Sequence, residues 1–159
     1  MFDVVLFEPE IPPNTGNIIR LCANSGTRLH LIRPLGFELS DSKLRRAGLD
    51  YHEWVSIVVH DDLAGYLETA RPPRVWALST RGKRSYTEAD VAKGDALLFG
   101  PETRGLPAAV IDAIAPSQQL RIPMIPGNRS LNLSNAVAIV VYDAWRRHHF
   151  VGGDEFPII

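Results

Sequence analysis

The stretch Ala96-Leu97-Leu98-Phe99-Gly100-Pro101-Glu102-Thr103-Arg104-Gly105-Leu106-Pro107 decides the fold class. Its first four residues are apolar without alternation, the pattern of a strand covered on both faces, as in a parallel sheet. Pro101 cannot donate to a ladder and stops that strand, predicted over Ala96–Gly100. Working outward, further short aliphatic or β-branched runs predict strands at Phe2–Glu8, Leu29–Arg33, Trp54–Val59, Val75–Ser79 and Leu120–Pro123. Between them, helices are predicted at Thr15–Ser25, Asp41–Ala47 and Asp62–Thr69, a short one near Thr87–Val91, then Pro107–Ile114 and a long last one from Leu133 to His148. Such alternation predicts an α/β fold, a mostly parallel sheet flanked by helices. No repeat, low-complexity tract or charge run divides the 159 residues, so a single domain over residues 1–159 is expected.

Composition narrows the function. Hydrophobic residues make up 45% and charged residues 22%, values of a globular chain with a packed core. Seventeen Lys and Arg against eighteen Asp and Glu give a net charge of -1, which excludes wholesale electrostatic coating of nucleic acid but not a local basic face. The single cysteine, Cys22, excludes a disulfide framework and any multi-thiolate metal site. Met1 leads straight into Phe2-Asp3-Val4-Val5-Leu6-Phe7, which reads as neither signal peptide nor membrane span and predicts a cytoplasmic protein. No G-x-G-x-x-G follows the first strand, and neither G-x-x-x-x-G-K-[ST] nor G-x-S-x-G occurs. His52-Glu53 lacks a second His at helical spacing, and the five His offer no ligand-like pattern, so no metal site is expected.

The last helix is apolar on every side over Ala136-Val137-Ala138-Ile139-Val140-Val141, where a monomer's surface helix would show a polar face. It is either a central core helix or one side of a subunit interface, and the small chain favours the interface. Trp145, Arg146, Arg147, His148 and His149 end it with cations, which suit any helix C-terminus.

Three constellations carry chemistry. In Pro12-Pro13-Asn14-Thr15-Gly16-Asn17-Ile18-Ile19-Arg20, Asn14 is expected to cap a helix whose N-terminus, after a strand's carboxyl end, suits an anion. Asn17 and Arg20 share a face of that helix, with Arg20 placed to grip a phosphate, while Ile18, Leu21 and Cys22 face the core. The second constellation, residues 98–107, packs two Gly, two Pro and the opposite charges Glu102 and Arg104 into a loop beyond a strand's C-terminus, where open α/β sheets bind ligands. In the third, Ile122, Met124 and Ile125 precede Ser130, Asn132, Ser134 and Asn135, more polar groups than one helix cap needs. Polar groups beside an apolar loop suit a flat heteroaromatic ring.

In this order, the N-T-G-N-I-I-R of residues 14–20, the L-F-G-P-E-T-R-G-L of 98–106 and the I-P-M…R-S-L-N-L-S-N-A-V of 122–137 resemble the three motifs of the SPOUT superfamily of S-adenosylmethionine-dependent RNA 2′-O-ribose methyltransferases. Residues 8–13 and 44–53 resemble its small stand-alone branch, which methylates the wobble nucleotide (position 34, cytidine or modified uridine) of leucine tRNAs. The resemblance implies a C-terminal deep trefoil knot, a homodimer and S-adenosylmethionine as cosubstrate, and it implies no metal. It implies tRNA as partner, gripped at the anticodon stem-loop, and no DNA or membrane partner. Carried over by position, the cofactor site comprises Leu78, Gly100, Ile122 and Ser130, with Met124 and Leu131 close by.

The implied reaction is attack of a ribose 2′-oxygen on a sulfonium methyl. Arg20 matches the motif arginine assigned to catalysis; since a guanidinium keeps its proton, it serves as a cation that holds phosphate and steadies the developing oxyanion. Tyr142 is a second catalytic candidate, facing either the site or a partner subunit. Glu102, Asn17 and Asn132 are positioning candidates. Arg45-Arg46, Arg81-Gly82-Lys83-Arg84 and Arg146-Arg147 are candidate phosphate contacts. Another RNA target, a non-catalytic RNA-binding or assembly factor, and a small-molecule α/β enzyme remain as alternatives at this stage.

Overall fold

The computed structural model describes residues 1–40 and 57–154. The strands are β1 (Asp3–Phe7), β2 (Arg28–Ile32), β3 (Ile57–His60), β4 (Val75–Leu78), β5 (Arg84–Ser85), β6 (Ala96–Phe99) and β7 (Gln119–Arg121). The helices are α1 (Pro12–Ser25), α2 (Leu63–Ala70), α3 (Ala108–Asp112) and α4 (Leu133–Arg147), with single 3-10 turns at Tyr86–Glu88 and Pro116–Gln118. The seven strands form one sheet in the order β3-β2-β1-β6-β4-β7-β5, and every pairing is parallel. The expected parallel sheet flanked by helices is therefore present.

Alternation of side chains splits the core into two layers. On one face, Phe2, Val4, Leu6, Leu29, Leu31, Leu97 and Phe99 pack with Ile18, Ile19 and Cys22 of α1 and with Val137, Val140 and Val141 of α4. On the other, Val5, Phe7, Ile32 and Leu98 pack with Tyr66 of α2 and Ile111 of α3. β1 and β6 lie at the centre and are buried along their whole length, as the apolar run at 96–99 required. Truncating a fully buried Leu97 to Ala would cost about 2–5 kcal/mol.

Several boundaries move for physical reasons. α1 begins at Pro12 instead of Thr15: prolines fit the first helical positions, whose N–H groups have no partner inside the helix. Its N-cap is Ile11, so Asn14 is not the cap but a buried residue of the first turn. β5 escapes the sequence pattern because Arg84-Ser85 carries no apolar signal. The short helix expected near Thr87–Val91 is the 3-10 turn Tyr86–Glu88, closed by a reciprocal cap between Ser85 and Glu88. β7 stops at Arg121, before Pro123. The expected helix Asp41–Ala47, residues 44–53 of the resemblance, Arg45-Arg46, His52-Glu53 and the start of the strand at 54–59 lie outside the described residues.

Between β4 and β5 the chain passes directly over β7. Ser79 donates its amide to the Leu120 carbonyl at 2.9 Å. A Cβ at position 82 would stand 2.3 Å from that same oxygen, so only Gly82 permits the approach. α4 lays Val137, Val140, Val141, Ala144 and Trp145 against the core, and leaves Ile139 and Tyr142 exposed. Among the described residues, no helix is long and apolar enough to cross a membrane.

Candidate active site

All strands point the same way, so their C-terminal ends gather the loops after β4, β6 and β7 on one edge of the sheet. Those loops enclose a cleft of about 290 Å³. Leu78, Gly100, Ile122, Met124, Ser130 and Leu131, the six residues expected around a cofactor, all line it. Thr80, Arg81, Thr103 and the Glu102 side of the β6 loop complete the wall. The β6 loop folds back tightly: a Cβ on residue 100 would sit 2.3 Å from the Leu106 nitrogen, which is why Gly100 stands there.

What holds the three distant constellations together is one carboxylate and two amides. Glu102 accepts hydrogen bonds from the Glu10 amide (2.8 Å), the Ile11 amide (3.1 Å) and Asn14 Nδ2 (3.1 Å). Asn14 Oδ1 in turn accepts from Asn132 Nδ2 at 2.9 Å. Asn132 is the N-cap of α4, its Oδ1 accepting from the Ser134 amide (3.0 Å), the Ser134 hydroxyl (2.7 Å) and the Asn135 amide (3.4 Å). The surplus of polar residues at this helix entry thus divides: Asn132 caps α4 and reaches back to α1, while Ser130 faces the cleft.

The same geometry corrects the anion-site expectation for α1. Its N-terminus is already met by the Glu102 carboxylate, which takes the last two amides before the helix and lies at the positive end of the helix dipole. A phosphate has no vacancy there. The loop is further pinned by Thr103, whose amide and hydroxyl donate to Glu10 at 3.1 and 2.7 Å, and by an Arg104–Glu8 ion pair. The two Thr103 hydrogen bonds, aided by the nearby Arg104 charge, hold the Glu10 carboxyl below the usual carboxylate range.

Arg20 and Tyr142 stand apart from these residues. Arg20 lies on the exposed face of α1, alongside exposed Asn17 and outside the cleft lining. Tyr142 is 44% exposed on α4, edge-on to Trp145, and likewise outside that lining. Among the candidate phosphate contacts, Arg146 and Arg147 both pair with Asp143, and Arg84 is bound to Glu88 and to the Ser117 carbonyl. Among the described residues, no group of three or more His, Cys, Asp or Glu is placed to hold a metal ion.

A family model matches residues 1–142: that of the SpoU rRNA methylase family. The chain belongs to the SpoU rRNA methylase family. A relative named tRNA (cytidine(34)-2′-O)-methyltransferase, from Saccharophagus degradans, is 59% identical over 152 residues, covering 96% of this chain and 99% of its own. A solved structure concerned with the 2-OH methylation of C/U34 on tRNA superposes with a TM-score of 0.85 at 49% identity, covering 94% of this chain and 97% of that one. An AdoMet-bound rRNA methyltransferase from Sinorhizobium meliloti gives a TM-score of 0.79 at 25% identity, covering 92% of this chain and 56% of that one.

Within this SpoU chain, sequence reasoning missed Glu10 and Thr103 as structural parts of the site and misjudged Asn14. Nothing in local spacing marks them, because their partners lie 88 to 118 residues away in the chain.

Proposed function

We propose that this protein transfers the methyl group of S-adenosylmethionine to the ribose 2′-hydroxyl of the wobble nucleotide of tRNA, a cytidine or modified uridine at position 34, in leucine isoacceptors. The observation that carries this reading is the cleft itself: the ends of β4, β6 and β7 and the entry of α4, distant in sequence, close around a pocket of nucleoside size, while the start of α1 is tied to its rim through Glu102, Asn14 and Asn132. The names of its relatives supply the substrate class. The residues present fit the cosubstrate. Leu78, Ile122, Met124 and Leu131 offer apolar walls for an adenine, and Gly100 and Ser130 bring main-chain groups and a hydroxyl to its rim.

When bound, S-adenosylmethionine supplies an electrophilic methyl on a sulfonium with a neutral leaving group. The chain then has chiefly to position the ribose, a task worth several kcal/mol when the reacting atoms are held in line. The Glu102–Asn14–Asn132 chain fixes the loop geometry around the cleft. Arg20, exposed on α1 rather than within the cleft, meets the RNA: it holds a phosphate and steadies negative charge developing on the 2′-oxygen.

The fold is read as a single domain over residues 1–159 with a deep trefoil knot. The passage of residues 79–82 over β7 supports the knot, since the chain must thread behind that segment to reach α4. The protein is read as a cytoplasmic homodimer. Exposed Ile139 and Tyr142 on the outer side of α4 support a second copy there, and we assign Tyr142 to that partner-facing surface. tRNA is engaged at the anticodon stem-loop, whose unpaired bases can be splayed toward the cleft.

Ribonucleoside mass spectrometry of tRNA from cells with and without this protein tests the reading. Loss of the ribose methyl at position 34 of leucine tRNAs alone is the expected result; unchanged tRNA would refute it. With purified protein, Arg20→Ala is expected to lower turnover about 100-fold while leaving S-adenosylmethionine binding intact. Near-normal turnover would remove Arg20 from the chemistry.

A further inference from the structure

Of the twelve arginines among the described residues at least seven pair with acids of the chain, Arg33 with Asp61 among them. Arg28 pairs with Asp3, Arg74 with Asp90 and Asp95, Arg84 with Glu88, Arg104 with Glu8, and Arg146 and Arg147 with Asp143. Arg81, Lys83 and Arg121 break the pattern and, unlike Lys93 and Arg129, which also have no ion pair among the described residues, they lie together. Among the described residues, none of the three side chains has an ion-pair or hydrogen-bond partner, although the chain carries more acids than bases. They nevertheless line one groove together with Arg84, and among the described residues no Asp or Glu lines it with them.

Their proximity is imposed by the fold. The close approach of Gly82 to the Leu120–Arg121 peptide puts Arg81 and Lys83 on either side of the crossing point and Arg121 on the strand being crossed. Three exposed like charges gathered without counter-charge raise the local positive potential, which attracts an anion into the groove. The groove also opens into the cleft: Arg81 and Met124 belong to the walls of both.

We infer that this groove is the track for the RNA backbone next to the reacting nucleotide. Arg81, Lys83 and Arg121 take successive phosphodiesters there, and Arg81 sits at the mouth where the ribose enters the cleft. The inference rests on the proposed methyl transfer to RNA and names how the same site receives its substrate. It also separates the basic run at 81–84 into two roles. Arg84 is a structural tie, bound to Glu88 and to the Ser117 carbonyl, and it is Arg121, 37 residues further on, that completes the cation set.

The test measures tRNA affinity against salt concentration, KM for tRNA and S-adenosylmethionine affinity in purified protein. R81A, K83A and R121A are each expected to reduce the slope of log affinity against log salt by about 0.7, the value for one single-stranded phosphate contact. The triple variant is expected to raise KM for tRNA about tenfold or more, and the K83A/R121A pair, both outside the cleft wall, to leave cosubstrate affinity unchanged. R121K, which keeps the charge, is expected to keep the slope. K93A serves as control, because Lys93 precedes β6 at the opposite edge of the sheet, and it is expected to change nothing. Unchanged slopes in the three single variants, with wild-type protein still methylating tRNA, would overturn the groove assignment alone. So would an equal loss in K93A, or loss of cosubstrate binding in K83A or R121A. Wild-type protein that neither binds nor methylates tRNA would instead overturn the proposed function on which the inference stands.

Discussion

Two carboxylates at opposite edges of the sheet each collect several donors, yet they do different work. Asp95, just before β6, accepts from Arg74 Nη2 (2.7 Å), Arg74 Nε (3.2 Å), Trp76 Nε1 (2.9 Å) and the Ala92 amide (2.8 Å), and is 1% exposed. Glu102, just after the same strand, accepts three donors from the α1 region and remains half-buried beside the cleft. At Asp95 every partner is local to the strand ends it joins, and the carboxylate is buried among them. At Glu102 the partners belong to another segment of the chain, and joining them leaves a cavity. The difference teaches that a saturated carboxylate is a fastener in both places, and that function arises where the fastened pieces are loops instead of strand ends.

That contrast predicts different losses. The largest is expected for Asp95→Ala, which leaves Arg74, the Trp76 indole N–H and the Ala92 amide without their acceptor. Removing one side of a buried ion pair costs about 3–5 kcal/mol, and because Arg74 is partly exposed the expected loss is about 3 kcal/mol. Denaturant unfolding measures it; activity per folded molecule should stay near normal. Glu102→Ala is expected to do the reverse. Displacing the loop by an ångström or so costs about 100-fold in methyl transfer. The unfolding free energy should fall by only about 1–2 kcal/mol, since two of the three donors it abandons, the Glu10 and Ile11 amides, belong to partly exposed residues. Should Glu102→Ala unfold the protein as severely as Asp95→Ala, the distinction between the two carboxylates would collapse.

The smallest expected effect concerns a third polar chain, on the side of the sheet covered by α2. His30 Nδ1 lies 2.9 Å from His60 Nε2 and His30 Nε2 lies 3.3 Å from Asp3, with the Tyr66 ring against both imidazoles. Burial, followed by the neighbouring His30 charge, holds the His60 pKa below its ordinary 6.5, with Asp61 opposing. A base whose pKa is lowered on folding stabilises the fold above its unfolded pKa, and that contribution is lost as pH falls. Melting temperature is therefore expected to drop as pH is lowered through about 6.5, and His60→Asn should flatten that part of the profile. A profile unchanged by the substitution would place the titration elsewhere.

Much of the architecture was readable from the chain alone. The unbroken apolar run at 96–99 indicated a strand buried on both faces, and β6 sits second to none in burial at the sheet's centre. The six residues that the family resemblance carried over to a cofactor site do line one cleft, formed beyond the C-terminal ends of the strands. Asn14 was misread for an equally physical reason. Its residue type and place before an apolar run satisfy every local rule for a cap, but two prolines start the helix earlier and free its amide for Glu102 and Asn132. In the basic run at 81–84 the charge is visible in sequence, but the tie of Arg84 to Glu88 and to the Ser117 carbonyl is not.

Element type, strand burial and the family motifs follow from the sequence, since periodicity, β-branching and proline placement act over a few residues. Which loops meet, which carboxylate fastens them and which cations stay unpaired were decided only by tertiary structure. Those outcomes depend on hydrogen bonds between residues 88 and 118 positions apart and on a glycine thin enough to let one segment lie on another. No local propensity encodes such meetings; the packing of the whole sheet does.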